Sequence, residues 1–99
     1  MATRIFAAYA TVPVYTEFLR WLGRGDEIEP MVRAWQEGDR ARALELTPPD
    51  LVREIFLLGP AEAQKERIAE FGAAGIHTAV LVLGVPAPDV AGAIEAFAP

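Results

Sequence analysis

His77 is the only histidine in a chain without cysteine, so it is the one imidazole available as a base or metal ligand. Either chemistry needs a neighbouring carboxylate or a second ligand, and the sequence around His77 supplies neither. It also stands at the start of an apolar run, the end opposite to where parallel α/β sheets place active sites, so a structural role is expected. Glu62, Glu66 and Glu70 recur every four residues and would share a helix face that could hold a metal. Lys65 and Arg67 lie among them, and a solvated stripe is the simpler reading. Gly59-Pro60 opens a helix where backbone N–H groups can hold an anion, although Pro60 lacks that donor and no phosphate-loop pattern surrounds it. Gly84 to Pro88 has no polar side chain before Asp89 and would line an apolar pocket without acting on a substrate. Tyr9, Tyr15, Trp21 and Trp35 could stack on a ring, but at helical spacing aromatic residues more often form a core. No catalytic residue and no metal site is assigned, and the cofactor-binding residues stay undetermined.

The elements that must position these residues are mostly helices. Ile5, Phe6, Tyr9, Val12, Phe18, Leu19 and Leu22 recur at three and four residues, and Pro13 breaks the pattern into two pieces, the second capped by Thr11. Arg4 to Ala10 also suits a short strand, apart from its alanines. Gly23 to Asp26 makes a turn, with Asp26 as the next cap. A helix then carries Ile28, Met31, Val32 and Trp35, with Pro30 in its first turn. Asp39 caps a short helix through Ala43 and Leu44, Thr47 to Asp50 ends it, and another follows through Leu51, Val52 and Ile55. Residues 1–54 thus read as a helical segment.

Residues 55–99 read as a β-α-β-α segment. Ile55 to Leu58 is continuously apolar and suits a brief strand. A helix from Pro60 closes at Gly75, and Ile76 to Leu83 has the β-branched, unbroken apolar character of a strand covered on both faces. Asp89 or Pro88 opens a last helix with Val90, Ile94 and Phe97. A buried strand leaving several backbone groups unpaired loses about 1–3 kcal/mol at each. The stretch Thr78 to Leu83 therefore needs neighbours on both edges. Phe56 to Leu58 provides one; Arg4 to Ala10, a second copy, or a sheet encoded elsewhere provides the other, the last two being preferred.

Composition narrows the function classes. Ninety-nine residues suffice for one domain with a modest core, and an apolar share of 53% excludes a disordered chain. Fourteen acidic against nine scattered basic residues disfavour nucleic acid and anionic membrane surfaces as partners. The longest apolar run falls well short of the roughly 20 residues of a spanning helix. Without a signal-peptide pattern, the cytoplasm is the expected compartment.

Beyond this local reading, Ala8-Tyr9-Ala10-Thr11-Val12-Pro13-Val14-Tyr15, Phe18 to Gly23, Trp35, Gly38-Asp39-Arg40 and Ala43 resemble the C-terminal region of luciferase-like monooxygenases. Leu58-Gly59-Pro60-Ala61-Glu62, Arg67-Ile68 and Ala74 to Thr78 are similar to that family's Gly-x-Pro-Glu helix and to the segment entering its last barrel strand. His77 stands where the family often has Asp. The resemblance implies the C-terminal part of a (β/α)8 TIM barrel: one or two parallel strands with five or six helices, most of the barrel lying upstream of Met1. It also implies a flavin- or deazaflavin-dependent oxidoreductase whose coenzyme-holding residues lie elsewhere. The chain alone is then catalytically silent, binds no cofactor by itself, and associates with itself or with the missing barrel portion. The competing expectation is a stand-alone interaction or apolar-ligand-binding module, with a dimeric groove lined by Tyr15, Trp21 and Trp35.

Overall fold

Prolines and glycines partition the chain into helices, and the computed structural model, which describes residues 1–82 and 89–98, contains seven of them. They are α1 (Ala2–Ala10), α2 (Pro13–Trp21), α3 (Gly25–Gln36), α4 (Arg40–Glu45), α5 (Pro49–Ile55), α6 (Ala61–Ala73) and α7 (Val90–Phe97). The residues group into two units, Met1–Phe56 and Leu57–Pro99.

In the first unit the break at Pro13 is sharp. Pro13 occupies the first position of α2, where its missing N–H costs nothing, and Val12 rather than Thr11 is the residue at the cap. Thr11 instead ends α1, its hydroxyl donating to the Ala7 carbonyl at 2.7 Å. The corner is pinned by Thr16. Its buried hydroxyl donates to the Ala10 carbonyl at 2.5 Å and approaches the Val12 carbonyl at 3.2 Å. At the end of α2, Gly23 adopts φ +82°, with the Gly23 N–H on the Arg20 carbonyl and the Arg24 N–H on the Leu19 carbonyl. This double closure turns the chain back into α3. Asp39 caps α4 by accepting from the Arg42 N–H at 3.0 Å. Asp26 lies inside the first turn of α3, which Arg24 precedes, and Pro30 lies in the second turn.

The helical periods meet in one core: Phe6, Ala7 and Ala10 from α1, Leu19 from α2, Ile28, Met31, Val32 and Ala34 from α3, Ala43 from α4, Leu51 and Val52 from α5. Arg4 to Ala10 is accordingly helix, not strand, because Phe6, Ala7 and Ala10 must face the same side. Four alanines and two valines in this core let helix axes approach closely, and α1 touches α2, α3, α4 and α5.

The second unit differs. Helix α6 closes at Gly75 (φ +108°), with N–H groups of Gly75 and Ile76 returning to the Gly72 and Phe71 carbonyls. Asp89 caps α7 by accepting from the Gly92 N–H at 2.9 Å, and α7 lies against α6. Neither helix buries a residue. The expected parallel strands are absent among the described residues: neither Phe56 to Leu58 nor Ile76 to Val82 forms one, so the α/β reading as a TIM-barrel fragment is overturned and the chain is helical. The reason is the ladder. A strand exists through its backbone pairing, and among the described residues no backbone hydrogen bond reaches the segment 77–82. Leu83 and the loop Gly84 to Pro88 lie outside the described residues.

Candidate functional site

The first unit carries an apolar groove of about 220 Å³, walled by Phe6, Tyr9 and Ala10 of α1, Tyr15, Phe18 and Leu19 of α2, and Ile55 and Phe56 where α5 ends. Its floor is core: Phe6, Ala10 and Leu19 are buried. Its rim is aromatic and open. The rings of Tyr9 and Tyr15 meet edge to face with centroids 5.8 Å apart across the Pro13 corner, and Phe18 stacks on Trp21 at 6.0 Å. Such pairs hold each ring in place more firmly than burial alone.

The third wall is positioned electrostatically. Arg24 grips Glu54 with Nη1 at 2.6 Å and Nη2 at 3.1 Å, and Glu27 with Nε at 2.9 Å and Nη2 at 3.0 Å. These bonds, Glu54 first, push the guanidinium pKa upward. Glu54 immediately precedes Ile55, so this fork ties the start of α3 to the residue beside the groove. Arg20 similarly joins Glu29, at 2.7 Å, and Glu17. Its own pKa is raised, and the Glu29 carboxyl is held below its ordinary value chiefly by that hydrogen bond.

The lining carries no charged side chain, and its only side-chain polar atoms are the hydroxyls of Tyr9 and Tyr15. What it offers is removal of apolar surface from water, worth roughly 25 cal/mol per Å². Among the four aromatic residues singled out from sequence, Tyr9 and Tyr15 line it, Trp21 stands at its edge through Phe18, and Trp35 belongs elsewhere. Trp35 packs against the core and is covered by the Arg40 guanidinium 3.8 Å above its ring. Phe6, Phe18, Leu19, Ile55 and Phe56 escaped the sequence reading as site residues. Their helical spacing marks a buried face and says nothing of where that face is left uncovered.

The remaining candidates are not brought into the groove. In the second unit His77 borders a cavity of about 470 Å³ with Leu57, Ile68, Phe71, Gly72, Ile76, Ala79, Val80 and Leu81, and no ion pair to it exists among the described residues. Glu62 pairs with Lys65 at 3.4 Å, and no group of three His, Cys, Asp or Glu that could hold a metal occurs among the described residues, Glu66 and Glu70 included. The Gly59 carbonyl accepts from the Gln64 side chain at 2.7 Å, and Pro60 precedes the first helical residue of α6. No helix among the described residues is long and apolar enough to cross a membrane. No protein-family model, no curated protein and no solved structure matches this chain.

Proposed function

We propose that the chain is a non-catalytic recognition module of the cytoplasm, holding an uncharged aliphatic group in the groove between α1, α2 and the end of α5. The observation that carries this reading is the groove's lining: eight residues, none of them charged. At about 220 Å³ it is smaller than the ~300–1,000 Å³ of drug-sized pockets, which suits an alkyl tail rather than a whole cofactor. The test is a titration with 1-decanol followed by calorimetry. One molecule per groove with a negative heat-capacity change is expected, together with loss of binding in Ile55→Asp. Absence of saturable binding, or undiminished binding by that variant, defeats the reading.

A second reading is favoured by the segment Ile76 to Val82, where Val80 and Val82 are 85% and 91% exposed although the run is apolar. Together with the resemblance to luciferase-like monooxygenases, it supports a role as a non-catalytic part of a flavin- or deazaflavin-dependent oxidoreductase assembly, the coenzyme being held by another part. This reading contains no barrel strands. Flavin absorbance in the assembly isolated with the tagged chain from its own cells, and no binding of FMN or a deazaflavin by the purified chain, are the expected results. A colourless preparation, or stoichiometric coenzyme binding by the chain alone, counts against it.

A further inference from the structure

Helix α2 has two working faces. Thr16 and Leu19 turn inward and are buried, whereas Val14, Tyr15, Phe18, Trp21 and Leu22 on the outward side are between 46% and 79% exposed. The outward residues are spaced by four and three from Val14 to Phe18 to Trp21, and by seven from Tyr15 to Leu22. That is the spacing of a seam by which one helix packs along another. None of the five is charged. The nearest carboxylate, Glu17, is already held by Arg20.

We propose that this face is covered by the same face of a second copy of the chain, the two α2 helices running antiparallel about a two-fold axis through Phe18. The arrangement of the seam carries the choice of occupant. On a helix of 3.6 residues per turn, Val14 and Trp21 fall on one side of the Phe18 line, four before it and three after. Tyr15 and Leu22 fall on the other side, three before and four after. An antiparallel two-fold therefore lays Trp21 of one copy beside the partner's Val14, and Tyr15 beside the partner's Leu22. Phe18 meets its own twin. Each large ring lies next to a smaller aliphatic side chain, and every contact recurs reciprocally, as an isologous interface requires. Antiparallel helices also oppose their dipoles.

Area supports the same occupant. With Tyr9 and Val12 at its margin, the face exposes residues at 42% to 79% of their surface. At roughly 150–250 Å² per aromatic side chain these residues expose something on the order of 700 Å² per copy, the upper limit of what the contact can cover, against the ~800 Å² each partner contributes to a standard stable interface. The interface shares Tyr9, Tyr15 and Phe18 with the rim of the groove and does not require its ligand.

The chain has no cysteine, so a single introduced thiol reports the axis without interference. Phe18→Cys, under mild oxidation, is expected to form a disulfide-linked dimer through its twin on the axis, and Glu37→Cys on the last turn of α3 is expected to form none. Sedimentation of the unmodified full chain from about 1 to 100 µM, a range in which interfaces of this size assemble, should show a monomer–dimer equilibrium. Trp21→Glu, which places a carboxylate on the interface, should weaken it about 100-fold or more with far-UV dichroism unchanged. That monomeric variant, tested with 1-decanol, separates this inference from the groove reading, because Trp21 does not line the groove. A monomer at 100 µM overturns the proposal, as does a dimer indifferent to Trp21→Glu or equal cross-linking at positions 18 and 37.

Discussion

Residues 1–56 and 57–99 are similarly rich in apolar side chains, half of the first group and somewhat more of the second, yet their fates differ. The first unit buries eleven apolar residues, and among the described residues the second buries none. Abundance of apolar surface does not decide burial; whether the apolar faces meet one another does. In 1–56 the apolar residues recur every three or four positions on five helices that turn back on one another, so each face finds another within the unit. In 57–99 the helices α6 and α7 carry apolar residues but bury none of them, and the short apolar run Ala79 to Val82 lies in no helix.

The largest expected effect breaks this contrast at its strong end. Ile28 and Met31 are fully buried at the centre of the first unit. Truncating such a side chain costs about 2–5 kcal/mol, comparable with the ~3–5 kcal/mol that a core this small supplies. Ile28→Ala should therefore unfold the first unit, whereas Phe71→Ala in the second should change little. Both tryptophans lie in the first unit, so their fluorescence in urea reads it separately, and backbone dichroism reads the whole chain. Equal losses from the two substitutions would show that the two halves form one cooperative core.

Next in size is the Pro13 corner. Thr16→Val keeps the shape of the side chain but leaves the buried Ala10 carbonyl without its 2.5 Å partner, which should lower the stability of the first unit by about 1–3 kcal/mol in the same urea experiment. Hydrogen exchange sharpens the comparison further. Amides in the middle of α3 should exchange about two to three orders of magnitude more slowly than those of residues 77–82, which have no backbone bond among the described residues. Protection of 77–82 in the isolated chain would mean that the segment pairs after all.

Much of the first unit is legible in the sequence because its signals are local: the period of Ile28, Met31 and Val32, the Asp39 cap, the stop at Pro48-Pro49 and the break at Pro13. The shift of the α2 cap from Thr11 to Val12 was hidden because Thr11 and Thr16 both hydrogen-bond backward to carbonyls of the preceding turn, a choice set by the corner's geometry. The strand expected at Thr78 to Leu83 is absent over its described part, Thr78 to Val82, for a different reason. Valine and isoleucine fit a pleated sheet, but a sheet is a pairing, and residue preference cannot summon a partner. The groove was half legible. Tyr9 and Tyr15 announce themselves as exposed aromatics, whereas Ile55 and Phe56 reach the same wall from the far end of the unit, and only the folded path of α5 puts them there.

The smallest effect separates charge from packing within the first unit. The Glu29 carboxyl is held below its ordinary pKa by the Arg20 guanidinium, so the folded state keeps it ionised where the unfolded chain would take up a proton. Its contribution is therefore fully present above the unfolded value of about 4.3 and disappears as pH falls through the lower folded value. The raised Arg20 pKa has no consequence near neutrality, since its stabilisation is lost only at pH beyond the arginine range. Both side chains are well exposed, at 39% and 40%, so solvent and salt screen the pair and its effect is small. Glu29→Gln should leave the urea midpoint near its starting value at pH 7 and flatten the fall in that midpoint between pH 5 and pH 3. Added salt should reproduce part of this flattening in the unsubstituted chain. An unchanged acid slope in Glu29→Gln would assign the acid sensitivity of this unit to other carboxylates, with the Arg24 fork at Glu54 and Glu27 the next to substitute.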